Sequence, residues 1–254
     1  GTTDLHGRVF PRDRQGGLEL LGGYLRNLRA SRAADGGAVL LLDAGDAFQG
    51  GIESNLSEGA LVVDAYNTMG YDALAIGNHE FEFGALDTAV GKDERSDMRG
   101  ALKAAAARAR FPFLAANLID EATGHPVEWP NVRPSTIVDT AGLRVGIVGL
   151  MTRDGLSKTL AANVEGLFTA TLAPTVEAEA RQLRQSGADM LVAAGGDGTI
   201  AAVAAASHDE GVPMGVIPQG TFNYFARGLD IPEDMEGAID VLASGRLHDM
   251  PLGE

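Results

Sequence analysis

The sequence predicts an α/β fold in which short buried strands alternate with amphipathic helices, and two observations carry that reading. Six short apolar runs, each bounded by Gly, Pro, Asp or Asn, suit strands buried in a sheet. Between them lie segments whose apolar residues recur at helical spacing. Such alternation implies layered, largely parallel sheets with helices on both faces and ligand-binding loops at the carboxyl ends of strands.

Taken in order, Leu18, Leu21, Leu25 and Leu28 mark a first helix, and Ala38 to Asp43 a first strand. Ser57 reads as the cap of a helix carrying Leu61, Ala65 and Met69. Ala73 to Ile76 is the next strand. Gly100 to Arg110 is alanine-rich, with Lys and Arg on one side, a favourable helix composition. Phe113 to Ala116 and Arg144 to Leu150 follow as strands, and Val176, Ala180 and Leu183 mark another helix. Met190 to Ala194 and Met214 to Ile217 are the last two strands. Residues 91 to 99 read as a charged exposed loop.

The 254 residues fit one large α/β domain or two small ones, and 45% hydrophobic content supplies a substantial core. A net charge of −15 argues against general affinity for nucleic-acid backbone or anionic membrane. Cysteine is absent, which excludes disulfides and thiolate chemistry. No apolar run reaches the ~18 residues of a membrane span, and no signal peptide is visible. The opening residue is glycine, which reads as a processed or excised segment, so the presence of a targeting signal stays open.

Three loops carry hard-metal ligand types. Asp4 and His6 lie two apart in an early loop, Gly45-Asp46 follows the first strand, and Gly77-Asn78-His79-Glu80 follows the second. Carboxylate, imidazole and amide oxygen together suit a pair of divalent ions. Singly, each fragment is more often an ordinary loop; in this order, each after a strand, they are specific. The set TTDLHGR, LLLDAGDAFQGG and ALAIGNHEFEFG resembles the calcineurin-like metallophosphoesterases, and within them the 5′-nucleotidase family. The resemblance continues through FPFLAANLID and LRVGIVGLMT, over about residues 1 to 190.

That resemblance implies two divalent ions (Mn, Zn or Mg) and a phosphorylated small molecule or nucleotide as substrate. It assigns Asp4 and His6 to the first metal, Asp46 to a bridging position and Asn78 to the second metal. His79 becomes the catalytic histidine. Its usual partner is an aspartate three residues on, where this chain has Glu82. Glu82 reads equally as partner or as solvated turn; Glu80 reads as solvated turn.

The family takes further histidine ligands from two later loops, and this chain lacks them. After Gly187-Ala188-Asp189 and the following strand, the sequence turns to Gly195-Gly196-Asp197-Gly198-Thr199. His125, His208 and His248, the remaining histidines, read as surface residues. From here the sequence, AAGGDGTI and then PMGVIPQGTFNYFARGLDIP, resembles the catalytic domain of diacylglycerol-kinase-like lipid kinases. The resemblance implies ATP with Mg, contacted by Gly195, Gly196, Asp197, Gly198 and Thr199 and by Gly220, Thr221 and Asn223. Glycines after a strand and at a helix start make an anion cradle.

The chain therefore reads as a chimera of two incomplete segments, 1–190 phosphoesterase-like and 191–254 kinase-like. Both families run strand, loop, helix, strand here, so the sheet is able to continue across the joint. In that case Asp197 falls near the lost histidine and joins the candidate metal ligands. Three functions stand open: an impaired metal-dependent phosphoester hydrolase, an ATP-binding kinase-like module, or a catalytically silent fold. The first resemblance implies an exported or periplasmic protein, the second a cytoplasmic one.

Overall fold

The computed structural model describes residues 1–12, 16–86, 96–195, 197–218, 223–233, 237–238, 241–242 and 246–250. The chain divides into two compact units. The first holds Gly1–Pro134 and Gly149–Ala170, the second Ser135–Val148 and Thr171–Glu254.

In the first unit, α1 spans Leu18–Ala34 and buries Leu18 and Leu25, two of the four leucines that mark it in the sequence. β1 is only Leu42–Asp43, shorter than its apolar run, and bridges in parallel to Thr2. α2 (Ile52–Leu56) and α3 (Ala60–Met69) follow, and here the expected cap is displaced. Ser57 closes α2, and left-handed Gly59 precedes α3. Ser57 Oγ still accepts the Leu61 N–H at 3.2 Å, so the hydroxyl serves both helix ends. β2 (Ala73–Ala75) runs into a 3₁₀ turn at His79–Phe81, and α4 (Gly100–Arg108) leads to β3 (Phe113–Leu114). β4 (Leu118–Asp120), β5 (His125–Pro126) and β6 (Val132–Arg133) complete this stretch.

The chain then enters the second unit for a hairpin, β7 (Ser135–Thr140) and β8 (Leu143–Val148), whose turn uses Ala141 and Gly142 at positive φ. It returns to the first unit for α5 (Ala161–Val164) and β9 (Leu167–Thr169). α6 (Leu172–Gln185), β10 (Met190–Gly195), α7 (Asp197–Glu210), β11 (Met214–Pro218) and α8 (Tyr224–Gly228) finish the second unit.

The first unit contains a parallel sheet ordered β1-β2-β3-β6 and a small antiparallel sheet ordered β5-β4-β9. Phe48, Val62, Tyr66, Leu74, Ile76, Phe81, Leu102 and Phe113 form its core, each essentially removed from water. Two buried asparagines tie its segments together. Asn117 exchanges hydrogen bonds with the main chain of Met151, at 2.8 Å each way. Asn163 donates to the Phe81 carbonyl at 2.7 Å.

The second unit is one sheet ordered β11-β10-β8-β7, parallel except for the β7–β8 hairpin. Met190 pairs with Val145 and Leu191 with Gly146. The joint in the sequence thus falls inside one continuous sheet. α6 and α7 pack side by side over its strands, α6 burying Val176, Ala180 and Leu183 as its spacing predicts. Among the described residues, no helix is long and apolar enough to cross a membrane.

Candidate functional site

The site is assembled in the first unit where the early loop is laced along the loop after β1. The main-chain N–H groups of Asp4, His6 and Gly7 donate to the carbonyls of Gly45, Asp46 and Ala47, at 3.0, 3.0 and 2.8 Å. Asp4, His6 and Asp46 all hold left-handed backbone, with φ of 51°, 49° and 59°. Such conformations cost roughly 1–3 kcal/mol each in non-glycine residues and persist only where the surroundings over-determine them. Here the laced hydrogen bonds do so.

The side chains meet in pairs. His6 Nε2 lies 3.6 Å from Asp4 Oδ1. The rings of His6 and His79 pack edge to face with centroids 4.5 Å apart. Asp46 Oδ1 accepts the backbone N–H of His79 at 3.1 Å. Asn78 precedes the 3₁₀ turn that carries His79. His79 Nδ1 and Glu82 Oε1 are 3.2 Å apart, an ion-pair separation. The approach is off the direction of a hydrogen bond, and the buried Nδ1 has no hydrogen-bond partner among the described residues. The local spacing of two residues in the turn is enough to make them neighbours.

These donors suit a hard divalent ion in their chemistry, since the three loops supply oxygen and imidazole nitrogen. They are an incomplete set. Among the described residues, no three His, Asp or Glu side chains gather into a metal-holding group. Beside the pairs, a cavity of about 660 Å³ is lined by residues including Gln49, Asn55, Glu82, Phe83, Lys158 and Thr159.

Glu80 is where the sequence reading fails. It is no solvated turn: the residue is 1% exposed. Its carboxylate accepts four backbone N–H groups, from Asp46 (3.0 Å), Ala47 (2.7 Å), Phe48 (3.3 Å) and Gly77 (2.7 Å). Burial pushes its pKa up to about 8, and repulsion from Asp46 and Asp43 adds to the rise. The N–H donors pull the other way. A buried glutamate has no local signature, because three of its four donors come from a loop more than thirty residues upstream. Asp43, also buried, accepts Thr2 Oγ1 (2.5 Å), Tyr66 OH (2.7 Å) and the Gly45 N–H (2.8 Å). Desolvation raises its pKa too.

The kinase-like residues all belong to the second unit. Gly195 ends β10 and α7 opens at Asp197, the strand–loop–helix order of an anion cradle. Gly198 and Thr199 lie in the first turn of α7. Gly196, Gly220 and Thr221 lie outside the described residues, as does the side chain of Asp197. Asn223 is buried, holds a left-handed φ of 51° and precedes α8. Its amide lies 3.4 Å from Glu233 Oε2.

Fold and loops together resemble the phosphoesterases in the amino-terminal part of this α/β protein, and comparison with known proteins agrees. The chain is 35% identical over 155 residues to a 5′-nucleotidase of Vibrio cholerae, an alignment covering 60% of the chain and 25% of that protein. It is 32% identical over 203 residues to a 5′-nucleotidase of Diplobatis ommata, covering 78% of the chain and 32% of that protein. The solved 5′-nucleotidase precursor of Thermus thermophilus superposes with a TM-score of 0.59 at 25% identity, over 75% of this chain and 35% of that one. The chain thus spans between a quarter and a third of the length of these curated relatives.

The diacylglycerol kinase catalytic domain family matches residues 141–254. That match starts upstream of the change in loop chemistry near residue 190. It also overlaps the nucleotidase alignment, since 203 aligned residues cannot end before residue 141. The chain therefore joins a calcineurin-like, 5′-nucleotidase-related segment to a diacylglycerol-kinase-like one, and reads as a chimera of the two.

Proposed function

We propose that the protein is a metal-dependent phosphoester hydrolase of the 5′-nucleotidase type, weakened by the loss of the later histidine loops. The observation that carries this reading is the pair of contacts that His79 makes, with the His6 ring and with the Asp46 carboxylate. The two rings stand 4.5 Å apart, and the Asp46 carboxylate holds the His79 main chain. Asp4, His6, Asp46 and Asn78 are the residues that would hold metal, which would supply charge to neutralise phosphate oxygens. His79, with the Glu82 carboxylate 3.2 Å from Nδ1, would protonate the leaving oxygen or steady the phosphoryl group.

The substrate class is a phosphorylated small molecule or nucleotide, after the relatives named as 5′-nucleotidases. The test is hydrolysis of p-nitrophenyl phosphate with and without Mn²⁺, beside His79→Ala and Asp46→Asn. Loss of general-acid action costs about 100-fold or more. Equal rates in all three proteins would sink the reading and leave a catalytically silent fold.

A second reading, ATP binding by the second unit, has its own support. The kinase-family match covers 141–254, and the strand ending at Gly195 with a helix beginning at Asp197 supports it, since a helix start offers free N–H groups to an anion. Saturable ATP binding that disappears in Gly196→Val supports it; binding unchanged by that substitution refutes it.

A further inference from the structure

We propose that Glu80 is a positioning residue, which fixes Asp46 and His79 relative to each other by drawing the backbones of both their loops onto one buried carboxylate. The inference rests on the hydrolase reading above, because it concerns how that site is held. Glu80 Oε2 accepts the N–H of Asp46 and that of Gly77; Oε1 accepts those of Ala47 and Phe48. The donors belong to loops after different strands, so one side chain spans the gap between them. A second link runs the opposite way, from the His79 N–H to Asp46 Oδ1. Each loop supplies the acceptor for the other's main chain. The pair is a reciprocal brace.

The brace has no substitute nearby. Glu80 is 1% exposed and Ala47 and Phe48 are wholly buried, so water has no ready access to the N–H groups of those two donors. Asp46 sits at a φ of 59°, a conformation its surroundings must enforce. Placement of reacting groups matters steeply: a shift of about 1 Å commonly costs on the order of 100-fold in rate. Glu80 itself is buried beneath the two loops. It acts through Asp46 and His79.

The test uses the full chain and two variants. Glu80→Gln keeps the size but turns an amide NH₂ toward two of the N–H groups; Glu80→Asp keeps the carboxyl group on a stem one methylene shorter. Amide hydrogen exchange is measured without substrate or metal, and p-nitrophenyl phosphate hydrolysis is measured separately. In Glu80→Gln, exchange at Asp46, Ala47 and Gly77 should quicken at least about tenfold while β8 and β10 amides keep their wild-type rates. kcat should fall about 100-fold with KM within about twofold, and Glu80→Asp should recover part of both. Wild-type exchange at those amides in Glu80→Gln would overturn the proposal. So would faster exchange throughout the first unit with kcat per folded molecule unchanged, the mark of a merely structural group. Should Glu80→Gln fail to fold, the wild-type protein decides: Ala47 and Gly77 amides exchanging as fast as exposed-loop amides overturn the brace. If wild type and His79→Ala hydrolyse equally, the hydrolase reading falls, and exchange alone then judges the brace.

Discussion

The backbone N–H of His79 lies 3.1 Å from Oδ1 of Asp46, so the imidazole-bearing turn hangs on the carboxylate of another loop. Gly77 makes that approach possible. A Cβ at Gly77 would fall 2.2 Å from Asp46 Oδ1 and 2.7 Å from Asp46 N. Neither atom can give way freely, because both are already hydrogen-bonded. Gly77→Ala must therefore push the two loops apart, and overpacking of this kind costs about 1–3 kcal/mol. Urea denaturation should show a lower midpoint, and any hydrolytic activity should fall further than stability does. An unchanged midpoint would contradict the close packing.

Stability of the metal-free protein should fall as pH rises from about 5 to about 8. The sign follows from Glu80. In the unfolded chain its carboxyl loses a proton near the ordinary 4.3, whereas in the folded protein burial holds the proton to about 8. Between those values the folded state binds more protons, so raising the pH favours unfolding, by up to about 1.4 kcal/mol per pH unit for one group. Asp43 is shifted in the same sense. Thermal melts in chelator-treated buffer across this range measure the slope. Glu80→Gln, which has nothing to titrate, should flatten it even though its baseline stability is lower.

What could be seen in the sequence was what is local. The α6 face of Val176, Ala180 and Leu183 is buried as its period requires, because a helix on a sheet exposes its period directly. His79 and Glu82 become neighbours through turn geometry alone. The contact of His6 with His79 follows from strand order and not from spacing, and only the family resemblance pointed to it. Ser57 misled because a serine between two closely spaced helices can serve the end of one and the start of the next. β7 went unread since its residues are mostly half-buried and give no clean alternation. Glu80 was beyond reach for a stronger reason: whether a glutamate is buried depends on donors supplied by a distant loop.

Asp43 gives a mutational test of that buried polar layer. Tyr66 OH donates to its carboxylate at 2.7 Å, while the Tyr66 ring stacks on Tyr71 at 3.8 Å between centroids. Tyr66→Phe keeps the stack and removes one donor from a buried carboxylate, which should cost about 1–3 kcal/mol. Tyr71 OH reaches Thr2 Oγ1 at 2.8 Å, one step removed from the charge. Tyr71→Phe should accordingly cost less, about 0.5–1.5 kcal/mol. Chemical denaturation of both variants checks the order. A larger loss for Tyr71→Phe would show that stacking geometry, rather than the carboxylate, governs this cluster.

Asn163 links α5 to the turn that carries His79. Its side chain is buried, and Nδ2 donates to the Phe81 carbonyl at 2.7 Å. Phe81 closes the 3₁₀ turn, and its ring is itself 1% exposed, so the carbonyl has no ready replacement from solvent. Asn163→Leu, close in volume, should leave that oxygen unpaired at a cost of about 1–3 kcal/mol. Asn163→Asp should cost more, since it sets a carboxylate against the carbonyl instead of a donor. Both changes act on the turn behind the imidazole and leave every site residue in place. Denaturation midpoints should therefore fall in the order wild type, Asn163→Leu, Asn163→Asp, and the ring resonances of His79 should shift in both variants. His79 resonances unmoved by either substitution would show that α5 supports the core alone and does not set the turn.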